Sequence, residues 1–300
     1  MPYGERDFTR STGAEMRRLW DNVFEHSFHL RQIAPTPTDR AYRTLVERFF
    51  LKWTNPRQGE WILKLDVYNE ATLTKYAHYF MQRGLDVAYV DVSRRVIEVA
   101  RRRMMNDGFY DKAHPILADF RSLPFRPGSF GVACSFGSIE HVREWRTCLN
   151  EQRDATKTGG CVIVGVPNVQ NFWMRYWSCV FLSKIGALRK LTSPELHFTP
   201  GEIGNAMLEA GFSDVEVSGY HLFPKQLRWL DLWVQQFPDR SIAKARDLLL
   251  TPIVAVFEKI ERQETVLNLL AEMLIVKGVK CSQPVERRSR MPSVLTVHGR

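Results

Sequence analysis

Cysteine is scarce in this chain, and what there is follows no pattern. Five cysteines occur in 300 residues (Cys134, Cys148, Cys161, Cys179 and Cys281), with no C-x-x-C and no paired spacing. That excludes a disulfide framework and a cysteine-ligated zinc site, and no metal is expected. Cys134 and Cys161 fall in apolar, strand-like runs and read as small buried hydrophobes rather than nucleophiles. Long apolar runs are also missing. Those around Val180 and Ile253 are interrupted by Lys184 and Glu258, well short of the ~20 residues a membrane span needs, and no signal-like segment opens the chain. The expected location is cytoplasmic. Acidic surplus is absent too, the formal net charge being +9. Yet no zinc-finger pattern, aromatic RNA-binding signature or phosphate-cradling glycine loop accompanies the basic residues, so no nucleic-acid partner is expected. There is no internal repeat.

What is present, at 44% hydrophobic residues, is ample for a core. The organising stretch runs from Trp61 to Asp91. An apolar run (Trp61, Ile62, Leu63, Leu65, Val67) passes a polar corner at Tyr68, Asn69 and Glu70 into the helix-period segment TLTKYAHYFMQRGL. A second apolar run, Val87 to Val90, then stops on Asp91. This is a βαβ unit, whose parallel strands open a crevice at their carboxyl ends, and an acid at the tip of the second strand suits a ribose. The first corner lacks glycine and carries Asp66 and Glu70. A dinucleotide needs glycines there to bring the backbone against its pyrophosphate. The acids would repel phosphate and attract a cation, which points to a phosphate-free, positively charged nucleoside: S-adenosylmethionine.

Beyond Asp91 the chain reads VSRRVIEVARRRM, then PILADFRSLPFRPGSFGVACSFGSIEHV, then TGGCVIVGVPN. This order resembles the small-molecule class I S-adenosylmethionine-dependent methyltransferases, from about Ile62 to Gly219 and again near Met273. The resemblance implies a Rossmann-like α/β fold, a mostly parallel seven-stranded sheet with helices on both faces. It implies Asp91, with Val92, at the ribose, and Asp119 and Phe120 at the adenine. Asp66, Asn69 and Glu70 would meet the methionine end or order its loop, and Ser135 would line the site from the fourth strand. The chain departs from the family at Lys64, where an acid is usual, and at Val67-Tyr68-Asn69, where a Gly-x-Gly corner is usual.

Taken in order, the sequence divides into an N-terminal helical cap (1–58), a cofactor-binding core (59–220), a helical insertion (221–270), the last core strand (271–280) and a disordered basic tail (281–300). In the cap, Glu15 to Phe28 and Asp39 to Trp53 each show a helical apolar face, serving as packing or as a lid. In the core, Ser93 caps a helix closed by Asn106-Asp107-Gly108. Pro115 to Ala118 is a short strand ending at Asp119, and Phe130 to Phe136 is the fourth strand, after which Gly137 to Val142 turns into a helix. His141 stands beside the expected methyl position as a candidate base. Asn171 to Leu191 repeats Trp173, Trp177, Val180, Phe181, Ile185 and Leu188 at helical spacing with Arg175, Lys184, Arg189 and Lys190 and no acid. Such a segment suits core packing, a greasy acceptor or a peripheral membrane contact. In the insertion, Pro252 is expected to separate a helix at Ile242 to Leu250 from one at Ile253 to Leu270.

The expected activity is methyl transfer from S-adenosylmethionine to a small-molecule or lipid-like acceptor. Two rivals stand beside it: a degenerate, non-catalytic methyltransferase fold acting as a binding or regulatory protein, and an RNA methyltransferase, favoured only by charge.

Overall fold

A computed structural model describes residues 13–25, 35–171, 195–237, 239–282 and 293–294 of the chain. Two helices, α1 (Gly13–Glu25) and α2 (Pro37–Trp53), precede the sheet. The sheet begins with β1 (Trp61–Leu65) and β2 (Val87–Asp91), continues after α3 (Arg94–Asn106) with β3 (Ala113–Leu117) and β4 (Phe130–Phe136), and after α4 (Trp145–Ala155) with β5 (Thr156–Pro167). α5 (Pro200–Glu209) leads to β6 (Phe212–Tyr220); α6 (Lys225–Val234) and α7 (Arg240–Glu261) form the insertion before β7 (Met273–Lys280). The strand order is β3-β2-β1-β4-β5-β7-β6, with a two-residue strand β8 (Ser293–Val294) beside β6. β1 to β5 pair in parallel, and β7 runs antiparallel between β5 and β6. The architecture is thus the mostly parallel α/β sheet expected, and the carboxyl ends of β1 to β5 share one edge.

Alternation along the strands explains the layers. Leu63, Leu65, Ala88, Val90, Ala133, Val162 and Val164 point to one face, under α1, α4 and α5. Ile62, Val87, Tyr89, Val132, Cys134 and Ile163 point to the other, under α2 and α3. A period of two on both faces is what a sheet covered twice requires. Helix starts follow local chemistry: α2 opens with a Thr36–Asp39 capping box and Pro37 in its first turn, α5 with a Thr199–Glu202 box, and α3 with Ser93 accepting from the Val96 amide. Gly108, at φ +83, closes α3.

Several local expectations are corrected. The polar corner is itself a single turn, Tyr68–Ala71, and of the helix-period segment after it only His78–Met81 is α-helical. Between them the Thr72 and Thr74 hydroxyls turn back onto the Asn69 carbonyl, and Lys75 adopts φ 49, so side-chain hydrogen bonds replace the helical ladder. After β4 the chain makes a 3-10 turn at Ile139–His141, and α4 waits until Trp145. β3 stops at Leu117, two residues before Asp119. Pro252 does not divide the insertion: α7 runs through it as 22 residues. In the expected tail, Ser293 and Val294 pair with Glu216 and Val217. The aromatic basic segment 172–191 lies outside the described residues, as does most of 283–300.

The insertion packs on the cap through one side only. Leu250, Val254 and Glu261 of α7 are buried, and α7 lies along α2. On the opposite side Leu248, Leu249, Ile253 and Val256 are exposed, Leu248 by 78%, as are Trp229, Leu230 and Trp233 of α6. Among the described residues no helix is long and apolar enough to cross a membrane.

Candidate functional site

The site forms where the β1 and β4 ends, the β2–α3 corner and α1 converge, and where the insertion closes the far side. A cavity of about 390 Å³ runs between them, within the range of roughly 300–1,000 Å³ typical of small-molecule sites. One end is lined by Asp66, Tyr68, Asn69, Asp91, Val92, Phe120, Gly137 and Ser138; the other by Tyr42, Tyr220, His221, Lys225, Arg228, Trp229 and Leu232. Glu140, His141 and Glu195 also line the cavity, with a polar atom of each within 4.8 Å of the others. α1 contributes Trp20 and Val23 as a cover, and it is fixed there because Arg17 donates to the Val92 carbonyl at 3.2 Å and Ser93 donates its hydroxyl to Asp21. The cap helix therefore combines packing with a lid position.

Asp91 anchors the first end. It is buried, and its two carboxylate oxygens accept the Val67 and Ser93 amides at 3.0 and 2.7 Å. Burial pushes its pKa up to about 7, against the pull of those two amides. The amide of Val67 ties the β1 corner to the tip of β2, so the two acids meet at one place. Asp66 sits in the left-handed region, φ 56, where glycine would be cheapest. Its carboxylate accepts the Tyr68 amide at 3.1 Å and the Ser138 hydroxyl.

Of the residues expected from sequence, the cavity brings together Asp66, Asn69, Asp91, Val92, Phe120 and His141. It leaves out three. Glu70 is fully buried, accepting the Ala77 amide at 3.1 Å and pairing with Lys64 at 3.0 Å; it orders the loop from behind. Asp119 accepts both the Arg121 amide and the Arg121 guanidinium, at 2.9 and 2.6 Å, which holds its carboxyl below the usual range even though part-burial pushes the other way. Ser135 is buried inside β4, and Ser138, three residues on, reaches the cavity in its place. His141 packs edge-on against Trp20 with ring centroids 4.8 Å apart. Among the described residues the cysteines are free, and burial pushes the Cys148 and Cys161 thiols up to about 12, as packing residues behave.

The second end was not legible. Tyr42 falls on the apolar face of the second cap helix, no motif marks Tyr220, and Lys225, Arg228 and Trp229 sit in an insertion with no motif. Only their spacing on one helix face, three and four residues apart, hints that they act together. In the structure Arg228 is buried, pairing with Asp39 at 2.6 Å, and Lys225 pairs with Glu272 at 3.1 Å.

These residues fit S-adenosylmethionine: a buried acid at the β2 tip, apolar Val92, Val96 and Phe120 beside it, and a second acid rather than a phosphate cradle at the β1 corner.

The chain is 27% identical over 176 residues to an uncharacterized 37.1 kDa protein in transposon TN4556 of Streptomyces fradiae, covering 57% of this chain and 49% of that protein. It is 28% identical over 159 residues to the demethylmenaquinone methyltransferase of Clavibacter sepedonicus, covering 53% and 60%. The chain thus matches about half the length of these curated relatives. Its fold is similar to that of an S-adenosylmethionine-dependent methyltransferase from Thermotoga maritima, with TM-score 0.55 and 16% identity over 90% of this chain and 100% of that one. Residues 72–164 match the family described as a methyltransferase domain. This match and the sheet built around it give the core of the chain the fold of a class I methyltransferase.

Proposed function

We propose that this chain methylates a lipid-like acceptor that enters from a membrane surface. The cofactor is S-adenosylmethionine, which supplies a methyl group already activated on a sulfonium, so alignment of the acceptor can provide much of the acceleration. Asp91 accepts the ribose hydroxyls, Val92, Val96 and Phe120 flank the adenine, and Asp66 and Asn69 receive the methionine end. His141, just beyond Gly137 and Ser138, is the side chain that meets the reacting group of the acceptor. Tyr42, Tyr220, Trp229 and Leu232 hold the apolar body and exclude water from it.

The observation that carries this reading is the double exposure of Trp229. It lines the cavity and is also 54% exposed, on a helix that packs against α7, and these two helices expose Leu230, Trp233, Leu248, Leu249, Ile253 and Val256. Monomeric proteins seldom leave so many large apolar side chains together in water. An acceptor dissolved in lipid could pass from that surface into the cavity without crossing water. The name of the demethylmenaquinone relative supports a greasy acceptor in the same direction.

The test is incubation of the protein with methyl-labelled cofactor and, separately, the lipid and aqueous fractions of a cell extract. Label should appear in the organic-soluble products. Label only in aqueous products would replace the lipid-like acceptor with a polar one.

A non-catalytic binding role remains the second reading, favoured by one observation: Lys64 and the glycine-free corner depart from the family pattern at the cofactor site. Cofactor binding without label transfer to any fraction would select it.

A further inference from the structure

β1 is an inner strand, paired on one side with β2 and on the other with β4, and Lys64 projects from its middle. A lysine there is fully buried. Such a charge is strongly unfavourable unless opposite charges and hydrogen bonds surround it. Lys64 has them. Its Nζ lies 3.0 Å from Glu70 Oε2 and 3.5 Å from Asp66 Oδ1, and it donates to the Asp66 carbonyl at 2.8 Å. Burial works against the ammonium, but the fields of Asp66 and Glu70 outweigh it and hold the lysine charged.

The two carboxylates are not equivalent. Glu70 is fully buried and is consumed by Lys64 and the Ala77 amide. Asp66 lines the cavity. The ammonium lies closer to Glu70 than to Asp66, so Glu70 takes the tighter pairing from behind and Asp66 is the acid presented to the cavity. The bond from Lys64 to the Asp66 carbonyl also explains how a non-glycine residue keeps φ 56, a conformation that costs about 1 kcal/mol or more unless its surroundings hold it. The Asp66 amide donates to the Val90 carbonyl at 2.7 Å, and Ser138, just beyond β4, donates to its carboxylate. Lys64 and Val90 thus fix the Asp66 backbone, and Lys64 and Ser138 its carboxylate.

We propose that Lys64 is a positioning residue that aims the Asp66 carboxylate at the α-ammonium of S-adenosylmethionine, doing with an ion pair what glycines do by backbone approach. The inference rests on the cofactor reading above, and what it adds is the part played by Lys64, a buried lysine that never touches the ligand.

Calorimetry with two ligands tests it. 5′-Methylthioadenosine shares the adenosine and sulfur of the cofactor and lacks the amino acid. Asp66→Asn keeps the shape and removes the charge; Lys64→Met removes the support. Both variants should weaken S-adenosylmethionine roughly tenfold or more while leaving 5′-methylthioadenosine within about twofold of wild type. A structural defect would weaken both ligands together. Circular dichroism identifies whether Lys64→Met folds; if it does not, Asp66→Asn and Asp66→Gly carry the comparison. Equal weakening of both ligands, or undiminished S-adenosylmethionine binding in Asp66→Asn, overturns the assignment and leaves the cofactor reading standing. A wild-type protein that binds neither ligand overturns both.

Discussion

Arg228 of α6 lies 2.6 Å from Asp39 of α2, and this pair joins the insertion to the N-terminal cap at the second end of the cavity. The bridge extends through Thr38, which accepts from Arg228 at 2.7 Å and donates its amide to Asp231 at 3.0 Å. Asp39 and Asp231 are both essentially inaccessible to solvent. Arg228→Met would leave the buried Asp39 carboxylate without its ion pair, while Asp231 keeps Arg246 at 3.3 Å, and should cost about 3–5 kcal/mol. Denaturant unfolding measures it. Adding Asp39→Asn to that variant should recover part of the loss; strict additivity would show that the pair does not act as a unit.

Asp91 is the acid on which the ribose assignment depends. Each hydrogen bond to a charged group contributes about 1.5–3 kcal/mol. Asp91→Ala should therefore weaken S-adenosylmethionine by more than roughly tenfold, and should weaken 5′-methylthioadenosine equally, since both carry the ribose. Unchanged affinity would remove Asp91 from the site.

The same residue predicts a pH dependence. Its folded pKa, about 7, exceeds the value of about 3.9 expected when unfolded, so the folded state holds the proton more tightly. The stability this contributes is fully present below about pH 4 and is lost as pH rises through about 7. Ribose hydroxyls prefer the ionised carboxylate, so cofactor affinity should rise from about pH 6 to about pH 8 with release of a proton. Calorimetry in buffers of different ionisation enthalpy reads the release, and Asp91→Asn should abolish it.

The exposed face of the insertion should matter for binding surfaces and not for stability. Leu248→Glu and Val256→Glu replace exposed side chains, so unfolding free energy should change by no more than about 0.5 kcal/mol. If this face meets lipid, cosedimentation with anionic vesicles should fall sharply in the double variant, and salt should weaken the wild-type interaction. Wild-type protein that ignores both anionic and neutral vesicles would turn the face into a protein contact.

How far the sequence reached depended on the range of the interactions concerned. The alternation Trp61 to Val67, Val87 to Asp91, Phe130 to Phe136 and Cys161 to Val166 determined a parallel α/β sheet, because side-chain direction along a strand has a strict period of two. Ser93, Gly108 and the Thr199–Glu202 box marked helix ends, because capping is settled within four residues. Asp91 was readable for the same reason, as a strand tip followed by a turn. The tertiary structure alone decided the rest. Which of the acids lines the cavity turned on Lys64, two positions from Asp66 in sequence yet on the inner strand whose burial forces it to recruit Glu70. Thr72, Thr74 and Lys75 broke a helix that periodicity supported, since hydroxyls bonded to Asn69 outcompeted the ladder. The second end of the cavity, where the Arg228 guanidinium lies over the Tyr42 ring, joins cap to insertion across most of the chain. No local pattern encodes such a meeting, because it is set by how two separately formed helices dock on one edge of the sheet.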